Sequence, residues 1–331
     1  MPLITTPLTV RDRTIKNRIT QLPMVPFPFI EDGKDYYNTQ HLHHYARAAE
    51  NGAGLIIVQS TRVEGVTREQ GMWTPGSRSI LERIAENARL SGATIMIQLS
   101  IEPEQGKDIN QWSTEAVLEK QNELKEAALK ARELGFHGVE YHFAHGFTLC
   151  QFMDAGANRR TDQFGGSLEN RCRIVTDILP EVRAGAGDDF IISARMGEFT
   201  PTSEEGIATA RHLEQCGMDM LSVSFGMTVP EGPVPEGFEF SPVTHSAHVI
   251  KQAVSVPVIG AFGIRTPEQA KGLVEKEYAD LAGLGRAMLA DPRFAANLLH
   301  GTPYHPCISC KNCSWFTNTL RCPARKLPET A

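Results

Sequence analysis

With 331 residues, 41% of them hydrophobic, the chain is long enough for one large domain or two ordinary ones around a sizeable core. A net charge of −6 and a pI near 6.0 argue against a nucleic-acid surface or an anionic membrane as the main partner. No apolar run approaches the roughly 18 residues that span a bilayer. No basic start followed by an apolar stretch opens the chain, so no signal peptide is expected and the cytoplasm is the default location.

Short apolar runs alternate with longer helical patterns. Strands are expected at 19–24, 55–60, 94–99, 138–142, 190–196, 220–224, 256–259 and 281–284. Helices are expected between and after them, at about 40–52, 77–91, 114–135, 167–184, 203–216, 243–254, 266–276 and 292–299. Glu119, Lys120, Glu123 and Lys125 give the third helix a charged outer face. Eight strand–helix units in about 300 residues is the count for a (β/α)8 TIM barrel. The rival, a doubly wound sheet, usually carries a glycine-rich turn after its first strand. No GxGxxG occurs in this chain. The expected architecture is therefore an α/β TIM barrel over residues 1–300, followed by a Pro- and Cys-rich segment, 301–331, that reads as loop.

A TIM barrel gathers its chemistry at the C-terminal ends of its strands. Gln59, Ser60, Gln98, His142, His145, Arg195 and Ser224 stand at such ends. His142 and His145 close the fourth strand and lead into a polar loop with Asn158, Arg159, Arg160 and Asp162. Two imidazoles and a basic loop beyond a strand point to a site. A metal held by the two histidines is a non-redox rival, but no carboxylate cluster completes the coordination. The last two strands end in glycine turns, Gly260-Ala261-Phe262-Gly263 and Gly283-Leu284-Gly285-Arg286. Glycine lets backbone N–H groups approach an anion, and Arg286 adds a charge-assisted contact, so a phosphorylated ligand is expected here.

Cys150, Cys172 and Cys216 are scattered and read as small buried apolar residues. Cys307, Cys310, Cys313 and Cys322 instead crowd the last 25 residues. In a reducing compartment such a group reads as a metal site rather than a disulfide set. Three close cysteines and a distant one followed by Pro323 form a general iron–sulfur pattern. Four thiolates also suit structural zinc, and a redox-sensitive set without metal is the third reading.

The block 138–173 closely resembles the signature of the old yellow enzyme family of flavin oxidoreductases. The Gly-Arg end within 257–292 is a second specific match, and weaker likenesses at 15–19 with Pro23-Met24, at 52–57, at Gln98-Leu99 and at Ala194-Arg195 extend the resemblance over nearly the whole barrel. It implies FMN bound noncovalently at the barrel mouth. Pro23, Met24, Val25, Ser60 and Gln98 would lie along its ring, with Arg195 at the N1/C2 end. Ala261, Gly263, Gly285 and Arg286 would hold its phosphate. His142 and His145 would donate to a substrate oxygen, which makes a carbonyl or similar acceptor more open to hydride.

Three departures from the family pattern stand out. Phe147 occupies the place of a tyrosine that donates the proton in alkene reduction, so Tyr36, Tyr37, water or a different reaction must cover for it. Val25 replaces a flavin-tuning Thr, Ser or Cys. Ser100-Ile101-Glu102-Pro103 replaces a His-Gly-Arg-like segment. The cysteine quartet resembles that of the branch exemplified by 2,4-dienoyl-CoA reductase and trimethylamine dehydrogenase, with a shorter last gap. That likeness implies a [4Fe–4S] cluster beside the flavin. Electrons would come from NAD(P)H or from an external protein such as a ferredoxin, and a homo-oligomer is compatible with this. The alternatives are oxidation of an amine-type donor and an electron-transfer protein with altered catalysis.

Overall fold

The computed structural model describes residues 2–30, 36–103, 108–197, 203–226 and 234–330. An antiparallel hairpin comes first, β1 (Leu8–Val10) with β2 (Arg13–Ile15). The barrel strands follow: β3 (Ile19–Gln21), β4 (Leu55–Arg62), β5 (Thr94–Ser100), β6 (Gly138–Phe143), β7 (Ile191–Met196), β8 (Met220–Val223), β9 (Val258–Gly260) and β10 (Leu281–Leu284). Each pairs in parallel with the next, and β10 closes the ring on β3. This is the expected TIM barrel. The helices are α1 (Thr39–Glu50), α2 (Pro75–Leu90), α3 (Thr114–Glu133), α4 (Thr148–Met153), α5 (Leu168–Thr176), α6 (Leu179–Ala186), α7 (Ser203–Gln215), α8 (Pro242–Ala253), α9 (Pro267–Glu275), α10 (Arg286–Ala290) and α11 (Arg293–His300). Among the described residues no helix is long and apolar enough to cross a membrane.

Strand alternation builds two cores. Leu55, Ile57, Met96, Ile191, Met220, Ile259 and Leu281 point inward, and Val10 and Ile15 of the hairpin pack with them at one end. Ile56, Val58, Ile95, Ile97, Val139 and Ile192 belong to the larger cluster shared with the helices. Toward the strands' C-terminal ends the inward row turns polar, and Gln98, Glu140, Arg195 and Ser222 are all buried there. A polar layer at that end is what a site on a barrel requires.

The structure departs from expectation in four places. The helix expected over 167–184 is two helices, because Pro180 at the start of α6 has no N–H and cannot continue α5. The segment after His145, expected as polar loop, begins with α4, in which Leu149, Cys150, Phe152 and Met153 are buried. The hairpin and the short α10 went unread because three- to five-residue elements show too few periods of any pattern.

The tail beyond α11 lies against the barrel. Trp315 is buried with Phe29 and Leu289, its ring 5.7 Å from that of Phe29. Arg325 donates to the carbonyls of Leu289 and Ala290 at the end of α10, both at 3.1 Å. Tyr304 and Thr330 exchange backbone hydrogen bonds of 3.0 and 2.9 Å.

Candidate active site

A cavity of about 830 Å³ opens at the C-terminal ends of the strands. Met24, His145, Arg195, Ala261, Gly263, Gly285 and Arg286 all line it. These come from five separate stretches of chain, brought together by the barrel. His142, Pro23, Val25, Ser60 and Gln98 do not line it. Pro23 is buried, Val25 and Ser60 are half-buried, and Gln98 donates from Nε2 to Oε1 of Glu140 at 2.7 Å. Tyr36 and Tyr37 lie outside the lining too. The Tyr37 hydroxyl shares a hydrogen bond with Thr61, and burial pushes the Tyr36 phenol up to about 12.

One polar chain crosses the site. His142 Nε2 lies 3.0 Å from His145 Nδ1, and His145 Nε2 lies 2.7 Å from the Ser224 hydroxyl. Arg195 Nη2 donates to the same hydroxyl at 3.5 Å. Burial, with Arg195 nearby, holds His145 down to about 3. Burial and then the neighbouring His145 and Arg195 hold His142 well below the ordinary imidazole value. Both rings are therefore neutral near pH 7, and they act as oriented dipoles rather than as cations. Among the described residues, His142 Nδ1 and Arg195 Nε are buried without a hydrogen-bond partner.

Glu140, fully buried beside Gln98, was not singled out from the sequence. Burial raises its carboxyl to about 7, and Arg195 and Gln98 temper the shift. The signal was available: positions 138, 140 and 142 alternate on one face of β6, the face that ends in His142.

Two lining residues hold unusual backbone. His145 has φ 65° and Phe262 has φ 79°, a left-handed conformation rare outside glycine. Strain of this kind collects where a structure must aim a group into a site. Gly263 follows at φ 87°, and a Cβ there would meet open space, so backbone geometry rather than crowding selects glycine.

The loop carrying Asn158, Arg159, Arg160 and Asp162 is scaffold, contrary to expectation. Arg160 donates to the carbonyls of Ile109 and Trp112 at 2.6 and 2.8 Å and pairs with Asp162. Asn158 spans the carbonyls of Phe152 and Phe164. A Cβ on Gly165 would stand 2.1 Å from the Arg160 carbonyl oxygen, so glycine is required at this close approach.

The tail supplies a wall that was not anticipated for the chain's own cavity: Cys310, Lys311, Asn312, Cys313, Phe316 and Thr317. Cys307, Cys310, Cys313 and Cys322 also converge on a second, small cavity beside it, shared with Arg286 and Trp315. All four are free thiols. Burial raises the Cys313 thiol, with Cys307 and Cys322 adding to the rise and Arg286 opposing it. Among the described residues no three His, Cys, Asp or Glu side chains are grouped to hold a single metal ion. Thiolates about 2.3 Å from one zinc would be such a group.

Comparison with known proteins places the chain. The model of the NADH:flavin oxidoreductase / NADH oxidase family matches residues 4–112 and 101–304. The NADPH dehydrogenase of Bacillus velezensis is 31% identical over 318 residues, covering 88% of this chain and 92% of the relative. The NADH oxidase of Thermoanaerobacter brockii is 30% identical over 335 residues and 89% of this chain, which spans only 51% of that longer protein. The old yellow enzyme homologue from Zymomonas mobilis superposes with a TM-score of 0.73 at 19% identity, covering 96% of this chain and 99% of the homologue. The chain belongs to the NADH:flavin oxidoreductase / NADH oxidase family, that of the old yellow enzymes. It is an FMN-dependent oxidoreductase.

Proposed function

We propose that FMN sits in the large cavity, reduces a small unsaturated substrate there, and receives electrons through a [4Fe–4S] centre on the four cysteines. One observation carries this reading. A single lining joins Arg195 and His145, the two glycine turns with Arg286, and Cys310 with Cys313. The residues suit the cofactor. A buried guanidinium with an unpartnered Nε fits an anionic ring edge. Gly263, Gly285 and Arg286 offer open backbone and one cation to a phosphate. Bound FMN would supply hydride transfer and exchange of one or two electrons.

The protein's own groups do the rest. Arg195 would balance negative charge on the bound ring, while Met24 and Ala261 would supply apolar contact. Pro23, Val25, Ser60 and Gln98 lie outside this lining. His145 presents a neutral ring to the cavity and hydrogen-bonds a substrate oxygen in exchange for Ser224, while His142 sets its tautomer from behind. No proton comes from Phe147, so the proton that completes reduction arrives from solvent or along the histidine chain. In this reading residues 1–300 form the flavin barrel and residues 301–331 the relay. Relatives named NADPH dehydrogenase and NADH oxidase support NAD(P)H as a donor. The cysteine tail supports a protein electron carrier as a second one.

The test is an absorption spectrum of protein purified without oxygen, with iron, zinc and sulfide analysis. Flavin bands, a broad shoulder that bleaches on reduction and about four irons per chain are expected. Flavin with zinc and no iron would make the tail structural and leave NAD(P)H as the direct reductant. A colourless protein that takes up no FMN would overturn the whole reading.

A further inference from the structure

The outer surface of the tail differs in chemistry from the rest of the molecule. Residues 301–331 carry four Lys or Arg against one Glu, while the whole chain has a net charge of −6. That acid, Glu329, is held by Arg293 at 2.7 Å and His305 at 3.4 Å. Lys311, Arg321 and Lys326 stand exposed. The same segment, with Phe27 packed beside it, also carries exposed large apolar side chains. Leu320 is 82% exposed, Phe27 58%, Ile308 48% and Phe316 38%. Phe27 and Phe316 have ring centroids 6.4 Å apart, and Ile308 lines the cysteine cavity itself. Single exposed apolar residues are ordinary, but a set gathered at one place and rimmed by one sign of charge marks a contact surface.

Position gives this surface a direction. Cys310, Cys313 and Arg286 line both the cysteine cavity and the large cavity. The surface, the four thiols and the proposed flavin cavity therefore follow one another from solvent inward.

We propose that this basic, apolar-centred surface docks a small acidic one-electron carrier protein. The inference rests on the reading of the cysteines as an iron–sulfur centre. The sign of the charge selects the partner: an acidic carrier is drawn to the tail and repelled by the remainder of a net-negative molecule. Leu320 and Phe316 form the dry middle of the contact, and Lys311, Arg321 and Lys326 its polar rim. A second copy of the chain fits less well, because a two-fold contact would set one basic tail against another. Each carrier is oxidised by one electron. Two encounters supply two electrons, which with two protons from solvent reduce one unsaturated bond of the substrate.

The experiment mixes the oxidised holoprotein, without oxygen, with a reduced acidic [2Fe–2S] ferredoxin and follows bleaching of the flavin. The rate is expected to fall about ten-fold as salt rises from about 50 to about 500 mM. A similar fall is expected in the double variant Arg321→Glu, Lys326→Glu. Leu320→Ser is expected to slow the wild-type reaction while leaving its salt dependence intact. Full bleaching by dithionite, expected unchanged in every variant, shows that the flavin sites are whole. Iron analysis on the same samples separates the two ideas. Wild-type protein without iron defeats the cluster reading and this proposal with it. Protein with iron whose rate ignores salt and both sets of substitutions defeats the docking surface alone. Sedimentation showing that Leu320 joins two copies would also overturn it.

Discussion

Arg195 shows how a single side chain can demand a ligand. It is 6% exposed, its Nε has no hydrogen-bond partner among the described residues, and burial lowers its pKa while the nearby Glu140 raises it. Burying a cation with an open donor costs free energy that an anionic group in the cavity would offset. Arg195→Gln removes the charge and keeps the size roughly similar. A hydrogen bond to a charged group contributes about 1.5–3 kcal/mol, so FMN should bind about 10- to 100-fold more weakly. The flavin midpoint potential should also fall, since reduced flavin is the more anionic form. Fluorimetric titration and a spectroelectrochemical potential check both, and an unchanged potential would remove Arg195 from its proposed place. Phe147 raises the opposite question, that of a missing group. Its ring centroid is 5.0 Å from that of His142 and 6.4 Å from that of His145, and the side chain is 52% exposed. Phe147→Tyr would place a phenol beside both imidazoles. General acids contribute on the order of 10²-fold or more, so steady-state reduction of an activated alkene should rise by about that factor. If it does not rise, proton supply is not what limits this site.

At the scale of elements, the tail has the least regular structure and depends most on one residue. Trp315 is 4% exposed, and its ring lies 5.7 Å from Phe29 and 5.1 Å from His44. Truncating a buried tryptophan typically costs about 3–5 kcal/mol. In Trp315→Ala that loss should fall on the tail alone, because the barrel core is a separate cluster. Hydrogen exchange should quicken over 304–330 and bound iron should drop, while the barrel melts as before. A barrel that melts with the tail would refute this separation. The tail was the element least legible in the sequence. Its cysteine spacing suggested a centre, but its wall of the cavity is set by packing of Trp315 and by Arg325 on the carbonyls of α10, which no periodicity encodes. The eight barrel strands were legible because Leu55, Ile57 and their counterparts repeat one short apolar pattern. Glu140 shared that alternation and was passed over, since a carboxylate inside a strand is ordinarily read as its solvent face. The loop at Asn158–Asp162 misled for the converse reason. Its charges answer to backbone carbonyls rather than to a ligand, and only three-dimensional contacts reveal that.

Over the whole molecule, the burial that makes the site also sets its response to acid. Burial holds His41 and His137 down to about 4 and His145 down to about 3, and it holds His142 well below the ordinary imidazole value. Each takes up a proton in the unfolded chain near pH 6.5 but not in the folded one. Stability from these groups is therefore fully present above about pH 6.5 and is lost as the pH falls toward their folded values. Glu140 works against this trend. Its folded pKa, raised to about 7, means that the native state keeps a proton the unfolded chain has released. It contributes stability below pH 4.5 that is lost as pH rises through about 7. Four histidines named here oppose one carboxyl, and each proton taken up on unfolding changes stability by about 1.4 kcal/mol per pH unit. The histidines win, so urea midpoints should fall steeply from pH 7 to pH 5. Glu140→Gln should make that fall steeper, because it removes the only group named here that opposes it. A urea midpoint that held level across this window would mean that the histidines beside the cavity are not neutral, and the oriented-dipole account of the site would fall with it.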